Sequence, residues 1–111
     1  MTDKVYTIEE LREIITPIAM RHNVKRVYLF GSYARGTATE ESDVDLLIDT
    51  SGTTVKSLLQ VAAIYCELEE ALGKPVDLLT VSALEQRVQR SSELAFREEV
   101  WNGKVDLYVA A

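Results

Sequence analysis

Two aspartates separated by one residue, Asp43 and Asp45, are the first side chains in this sequence whose type and spacing can do chemistry. They open a segment, Asp43 to Ile48, that reads as a strand. Residues i and i+2 of a strand share a face, which would set the two carboxylates side by side. Like charges that close resist joint ionisation in a partly covered site. A divalent cation removes that penalty, and hard carboxylate oxygens suit Mg2+ or Mn2+. The alternative is a pair on an exposed strand face, with nothing to neutralise. Gly31-Ser32 is the second feature, lying between an apolar strand and a short turn or helix, Tyr33 to Gly36. Backbone amides at such a junction attract anions, and the missing Cβ of Gly31 lets a phosphate approach closely. Read alone, the dipeptide is equally a simple turn. No lysine follows as a P-loop requires, and no G-x-G-x-x-G is present, so those two nucleotide-binding classes are excluded. The third feature is Asp77, between Val76 and Leu78 in a short apolar run. An unpaired buried carboxylate is costly. Asp77 therefore faces solvent at a sheet edge, meets a cation, or shares a metal with Asp43 and Asp45.

Positioning these residues requires a small sheet and its helices. Thr7 to His22 reads as a helix opened by the capping box Thr7-Ile8-Glu9-Glu10, with Pro17 expected to kink it. Val24 to Phe30 reads as a strand apolar on both faces, which places it centrally in a covered sheet. Thr54 to Leu72 reads as the longest helix, stopped by Gly73, and Pro75 prevents its resumption before a third strand, Val76 to Thr80. Ser82-Ala83-Leu84-Glu85 reads as a second capping box. Ser92 to Trp101 reads as a last helix, followed by an edge strand around Val105 to Tyr108. The order α-β-α-β-α-β-α, with a possible terminal strand, predicts an α/β (α+β) fold with a small mixed sheet flanked by helices.

Length and composition set outer limits. The 111 residues are expected to form one domain, residues 1–111. The chain is 47% hydrophobic and 27% charged, which excludes disordered and fibrous classes. Twelve basic against 18 acidic residues give a net charge of −6, which disfavours nucleic acid as a partner. Met1 to Tyr6 lack a basic segment leading into an apolar one, and no apolar stretch is long enough for a bilayer, so a cytoplasmic, reduced protein is expected. Cys66, the single cysteine, reads as an inert packed thiol, and His22 as a helix-end cation. Residues Val61 to Cys66 are apolar all round their helix, more than one sheet-facing stripe needs.

The three features combine. Gly31-Ser32, ten residues and Asp43-x-Asp45 form G-S-x10-D-x-D, a pattern that roughly one chain in a thousand of this length shows by chance. GSYARGTATEESDVDLLID resembles the signature of the minimal nucleotidyltransferases of the DNA polymerase β superfamily, and VDLLT at Val76 to Thr80 resembles the strand carrying their third carboxylate. That resemblance implies a nucleotidyltransferase fold with two metal ions, Mg2+ or Mn2+, between three carboxylates and the triphosphate of ATP. Asp43 and Asp45 would hold both metals. Asp77 would bind the catalytic one and help deprotonate the acceptor. Gly31 and Ser32 would hold the β- and γ-phosphates. Arg35 could add a charge-assisted bond to phosphate, or be a solvated surface charge.

The resemblance also implies a partner. Many minimal nucleotidyltransferases work beside a separately encoded helical HEPN protein, acting as antitoxin by adding AMP to a tyrosine of that toxin. Others use a helical partner to bind a small substrate. Contact-only neutralisation of a partner, with catalysis unused, is the competing class, and an intact carboxylate set argues against it. A nucleic-acid polymerase is disfavoured by the acidic charge.

Overall fold

A computed structural model describes residues 4–55, 57–86 and 91–110, so the reading of Met1 to Asp3 lies outside the described residues. Thr7 caps the first helix, α1 (Ile8–Arg21), through the expected reciprocal box: its hydroxyl accepts from the Glu10 amide, and Glu10 accepts from the Thr7 amide. The helix contains Pro17 and buries Leu11, Ile15, Ile18 and Ala19. Asn23, in the left-handed region at φ 57°, turns the chain into β1 (Arg26–Phe30). A five-residue helix, α2 (Gly31–Arg35), follows without a break and ends on left-handed Gly36.

The next strand, β2, runs Val44–Asp49 and so begins after Asp43 rather than at it. The helix α3 (Leu58–Leu72) starts four residues later than its apolar pattern predicts, because Ser57 closes a capping box with Gln60. Left-handed Gly73 stops it as expected. After β3 (Val76–Thr80) comes α4 (Val81–Gln86), whose cap is Thr80 and not Ser82: the Thr80 hydroxyl accepts from the Ala83 amide at 3.1 Å. The last elements are α5 (Ser91–Gly103) and β4 (Val105–Val109).

The strands lie in the order β3-β2-β1-β4. β1 pairs antiparallel with both β2 and β4, whereas β2 and β3 are parallel, joined through α3. The central place of β1 explains why Val27 to Phe30 are all buried. Strand alternation then divides the core. Val27, Leu29, Leu46 and Ile48 pack with α1 and α3 through Ile15, Ile64 and Leu68. Tyr28, Phe30 and Leu47 face the other way, against Leu84 of α4 and Val100 of α5. His22, at the end of α1, has Nε2 2.5 Å from Glu67 Oε2 and so links α1 to α3, a role beyond helix capping. No helix among the described residues is long and apolar enough to cross a membrane.

The structure decides which side of α3 is covered and corrects one reading. Ile64 is core, 2% exposed, the one buried residue of the 61–66 run. Cys66 is exposed rather than packed. The surplus apolar surface lies at the start of the helix, where Leu58 and Leu59 are 84% and 80% exposed.

Candidate active site

Asp45 and Asp77 are direct partners in the parallel β2–β3 register. Residues paired in register point to the same side of a sheet, and for Asp45 that side is shared with Leu47, beneath α4 and α5. The two acids thus meet although 31 residues separate them in the chain. Asp43 sits one residue before β2, exposed, and does not share the strand geometry expected of it. It still acts on Asp45 through charge. Burial first, then Asp77, then Asp43 push the Asp45 carboxyl up to about 6, against an opposing pull from Arg35.

Gly31 forms the floor under Asp45. A Cβ added to Gly31 would lie 2.0 Å from Asp45 Oδ2, and the residue has φ +70°, so both contact and conformation require glycine. Gly31 therefore lies directly against Asp45 rather than across a gap from it. Ser32 is half-buried, and its carbonyl accepts from the Thr37 amide at 2.9 Å, closing the turn after α2. The far wall is α5. Phe30, Gly31, Arg35, Asp45 and Asp77, with Phe96, Glu99, Val100 and Gly103 of α5, line a cleft of about 350 Å3, within the usual range for small-ligand pockets. Arg35 spans it, with Nη1 3.8 Å from Glu99 Oε1. At the end of α5, Trp101 packs against Tyr28 of β1, ring centroids 6.1 Å apart, with the Lys104 ammonium over both rings. That cluster seats α5 on the sheet.

Sequence reasoning missed this second wall. Phe96, Glu99 and Val100 carry no motif, and α5 shows little amphipathic pattern from which to place it.

The residues fit a divalent metal. Their donors are all carboxylate oxygen, and Asp45, raised by burial first and then by its acidic neighbours Asp77 and Asp43, is a carboxylate that a cation would relieve. Among the described residues no group of three or more acidic, histidine or cysteine side chains forms a ready cage. Mg2+ does not need one, because it is usually held by one or two carboxylates together with substrate phosphates. Asp45 and Asp77 supply that pair.

A carboxylate pair beside a glycine-floored cleft that Arg35 also lines can hold a cation together with a phosphate-bearing ligand. The sequence profile of the family described as nucleotidyltransferase domain matches residues 8–100, and this chain belongs to that family and is a nucleotidyltransferase. Two curated relatives are named as protein adenylyltransferases. "Putative protein adenylyltransferase MJ0435" of Methanocaldococcus jannaschii is 46% identical over 77 residues, 69% of this chain and 81% of its own. Protein adenylyltransferase MntA of Thermococcus cleftensis is 37% identical over 89 residues, 77% of this chain and 88% of its own. Two solved structures share the fold. A toxin–antitoxin with AMP-PNP has TM-score 0.66 at 24% identity, covering 89% of this chain and 73% of its own. A tri-AMPylated Shewanella oneidensis HEPN toxin in complex with MNT antitoxin has TM-score 0.62 at 19% identity, covering 94% and 74%.

Proposed function

We propose that this protein transfers AMP from ATP, with Mg2+ or Mn2+, to a tyrosine of a separately encoded helical HEPN-type protein, and so acts as its antitoxin. The observation that carries the reading is the in-register pair Asp45 and Asp77 above Gly31. Asp43, Asp45 and Asp77 would hold the metal, which when bound neutralises the triphosphate and the departing pyrophosphate. Gly31, which lines the cleft, and Ser32 next to it would border the phosphates, and Arg35, also in the cleft lining, would offer them a charge-assisted bond. Asp77, the exposed member of the pair, is the one an acceptor hydroxyl can reach, and its carboxylate takes that proton. The acceptor oxygen then bonds to the α-phosphorus as the bond to pyrophosphate breaks. Support for the adenylyl group and for the partner comes from the relatives' names and from the toxin–antitoxin complexes of the same fold.

The direct test is incubation with labelled ATP, Mg2+ and the protein encoded next to this one, followed by mass spectrometry of that protein. A gain of one adenylyl mass on a tyrosine is expected. Transfer to a small molecule instead would overturn the antitoxin role and leave the nucleotidyltransferase.

ATP binding should depend on the cation, because three acids otherwise repel a triphosphate. Calorimetric titration with ATP should show clear heat in Mg2+ and little in EDTA, and equal affinity in both would contradict this site.

The partner surface is tested by position on α3. Leu59→Glu should weaken a HEPN complex and leave folding intact, since Leu59 is 80% exposed. Ile64→Glu should unfold the chain, because it buries a charge in the core. Co-purification and thermal melts of the two variants separate these outcomes.

A further inference from the structure

Lys74 is the only buried charged residue among those described, 2% exposed, on the three-residue connector between α3 and β3. Lysine is almost never fully buried without a partner. Its Nζ donates to the Glu40 carbonyl at 2.7 Å. Glu40 belongs to a tight turn: the Thr39 amide donates to Ser42 Oγ at 2.8 Å, and the Ser42 amide to the Thr39 carbonyl at 3.1 Å. That turn ends one residue before Asp43. On the other side of Asp43, the Val44 amide donates to the Pro75 carbonyl at 3.1 Å. The connector therefore grips the chain three residues before Asp43, through Lys74, and one residue after it, through Pro75. Two residues further on, the same connector delivers Asp77.

We propose that Lys74 is a positioning residue, whose buried side chain fixes the 39–42 turn and thereby sets where the Asp43 carboxylate lies relative to the Asp45–Asp77 pair. This rests on the reading of Asp43 as a metal ligand. Asp43 needs such an anchor because it lies outside β2, where no strand ladder sets its direction. Taking it up from the connector that carries Asp77 fixes all three acids to one short stretch of backbone.

The test is Mn2+ binding to the nucleotide-free full chain, measured by calorimetry well below the melting temperature. Lys74→Met removes the donor and keeps the bulk. It should weaken Mn2+ binding about tenfold or more, the usual cost of losing an outer hydrogen bond that orients a ligand. The sign discriminates, because by Coulomb's law removing a positive charge from the protein can only tighten cation binding or leave it unchanged. Lys74→Arg, which retains a donor, should recover most of the affinity. Ser42→Ala opens the same turn at the surface, where folding is not at stake, and should weaken Mn2+ binding in the same direction; it carries the test if Lys74→Met does not fold. A lower melting temperature with unchanged Mn2+ affinity in these variants would reduce Lys74 to a structural residue and overturn the proposal. Wild-type protein that binds no Mn2+ overturns the metal reading itself, which Asp45→Asn in parallel makes recognisable.

Discussion

Asp45→Asn should abolish nucleotidyl transfer, by about a thousandfold, while raising the stability of the metal-free protein at pH 7.5. The two effects share one cause. Asp45 is held at about 6, above its ordinary 3.8, by burial and by Asp77 and Asp43. A carboxyl raised on folding favours the folded state while protonated. That contribution is fully present below about pH 4, falls away as the pH climbs through about 6, and is absent at 7.5. The interval corresponds to about 3 kcal/mol for a shielded group, and water in the open cleft reduces it to about 1–2 kcal/mol. Asparagine carries no such penalty. In EDTA, the variant should therefore melt about 5–10 °C above wild type at pH 7.5, and the gap should close near pH 4. A variant that melts at or below wild type at pH 7.5 would show that Asp45 is not under electrostatic strain.

Gly31→Ala should damage both fold and activity, and Gly36→Ala provides the measure. Both glycines have positive φ, +70° and +75°. A Cβ at Gly36 meets nothing within 4 Å, so alanine there costs backbone strain alone, about 1 kcal/mol. At Gly31 the same strain is joined by a contact 2.0 Å from Asp45 Oδ2 and 2.9 Å from its Cγ. Asp45 must move, and moving it costs about 1–3 kcal/mol more. Transfer should fall about 100-fold or more in Gly31→Ala, because misplacing a reacting group by an ångström has that cost. It should be nearly normal in Gly36→Ala. Denaturant melts and initial rates on both variants decide it, and equal behaviour would sink the idea that Gly31 exists to make room for Asp45.

Local signals were legible wherever a short stretch of sequence determines its own conformation. The Thr7–Glu10 box, the Gly73 stop and the strand Val76–Thr80 all stand as read. The nearness of Asp77 to Asp45 is different: G-S and D-x-D do not contain it, and it was the family resemblance of Val76–Thr80 that singled it out. What was not legible depends on partners distant in the chain. Whether Ile64 or Cys66 faces the sheet is decided by helix rotation, which an all-apolar run leaves undetermined. Thr80 displaced Ser82 as the α4 cap because strand and helix adjoin without a loop, and a cap pattern cannot show that. Asp43 fell outside β2 because the strand's pairing stops at Asp45 on the β1 side and at Val44 on the β3 side. The α5 wall and the Lys74 anchor exist only in three dimensions.

The parallel pairing of β2 with β3 also links occupancy to persistence. Two acids facing each other across a ladder add an electrostatic cost to closing it. Any ligand that neutralises them and binds only the folded chain adds stability by mass action, about 2.7 kcal/mol at a hundred times its dissociation constant. Proteases that cut transiently opened chains read out that same equilibrium. The resistance of this protein to proteolysis would then rise with the concentration of any such ligand.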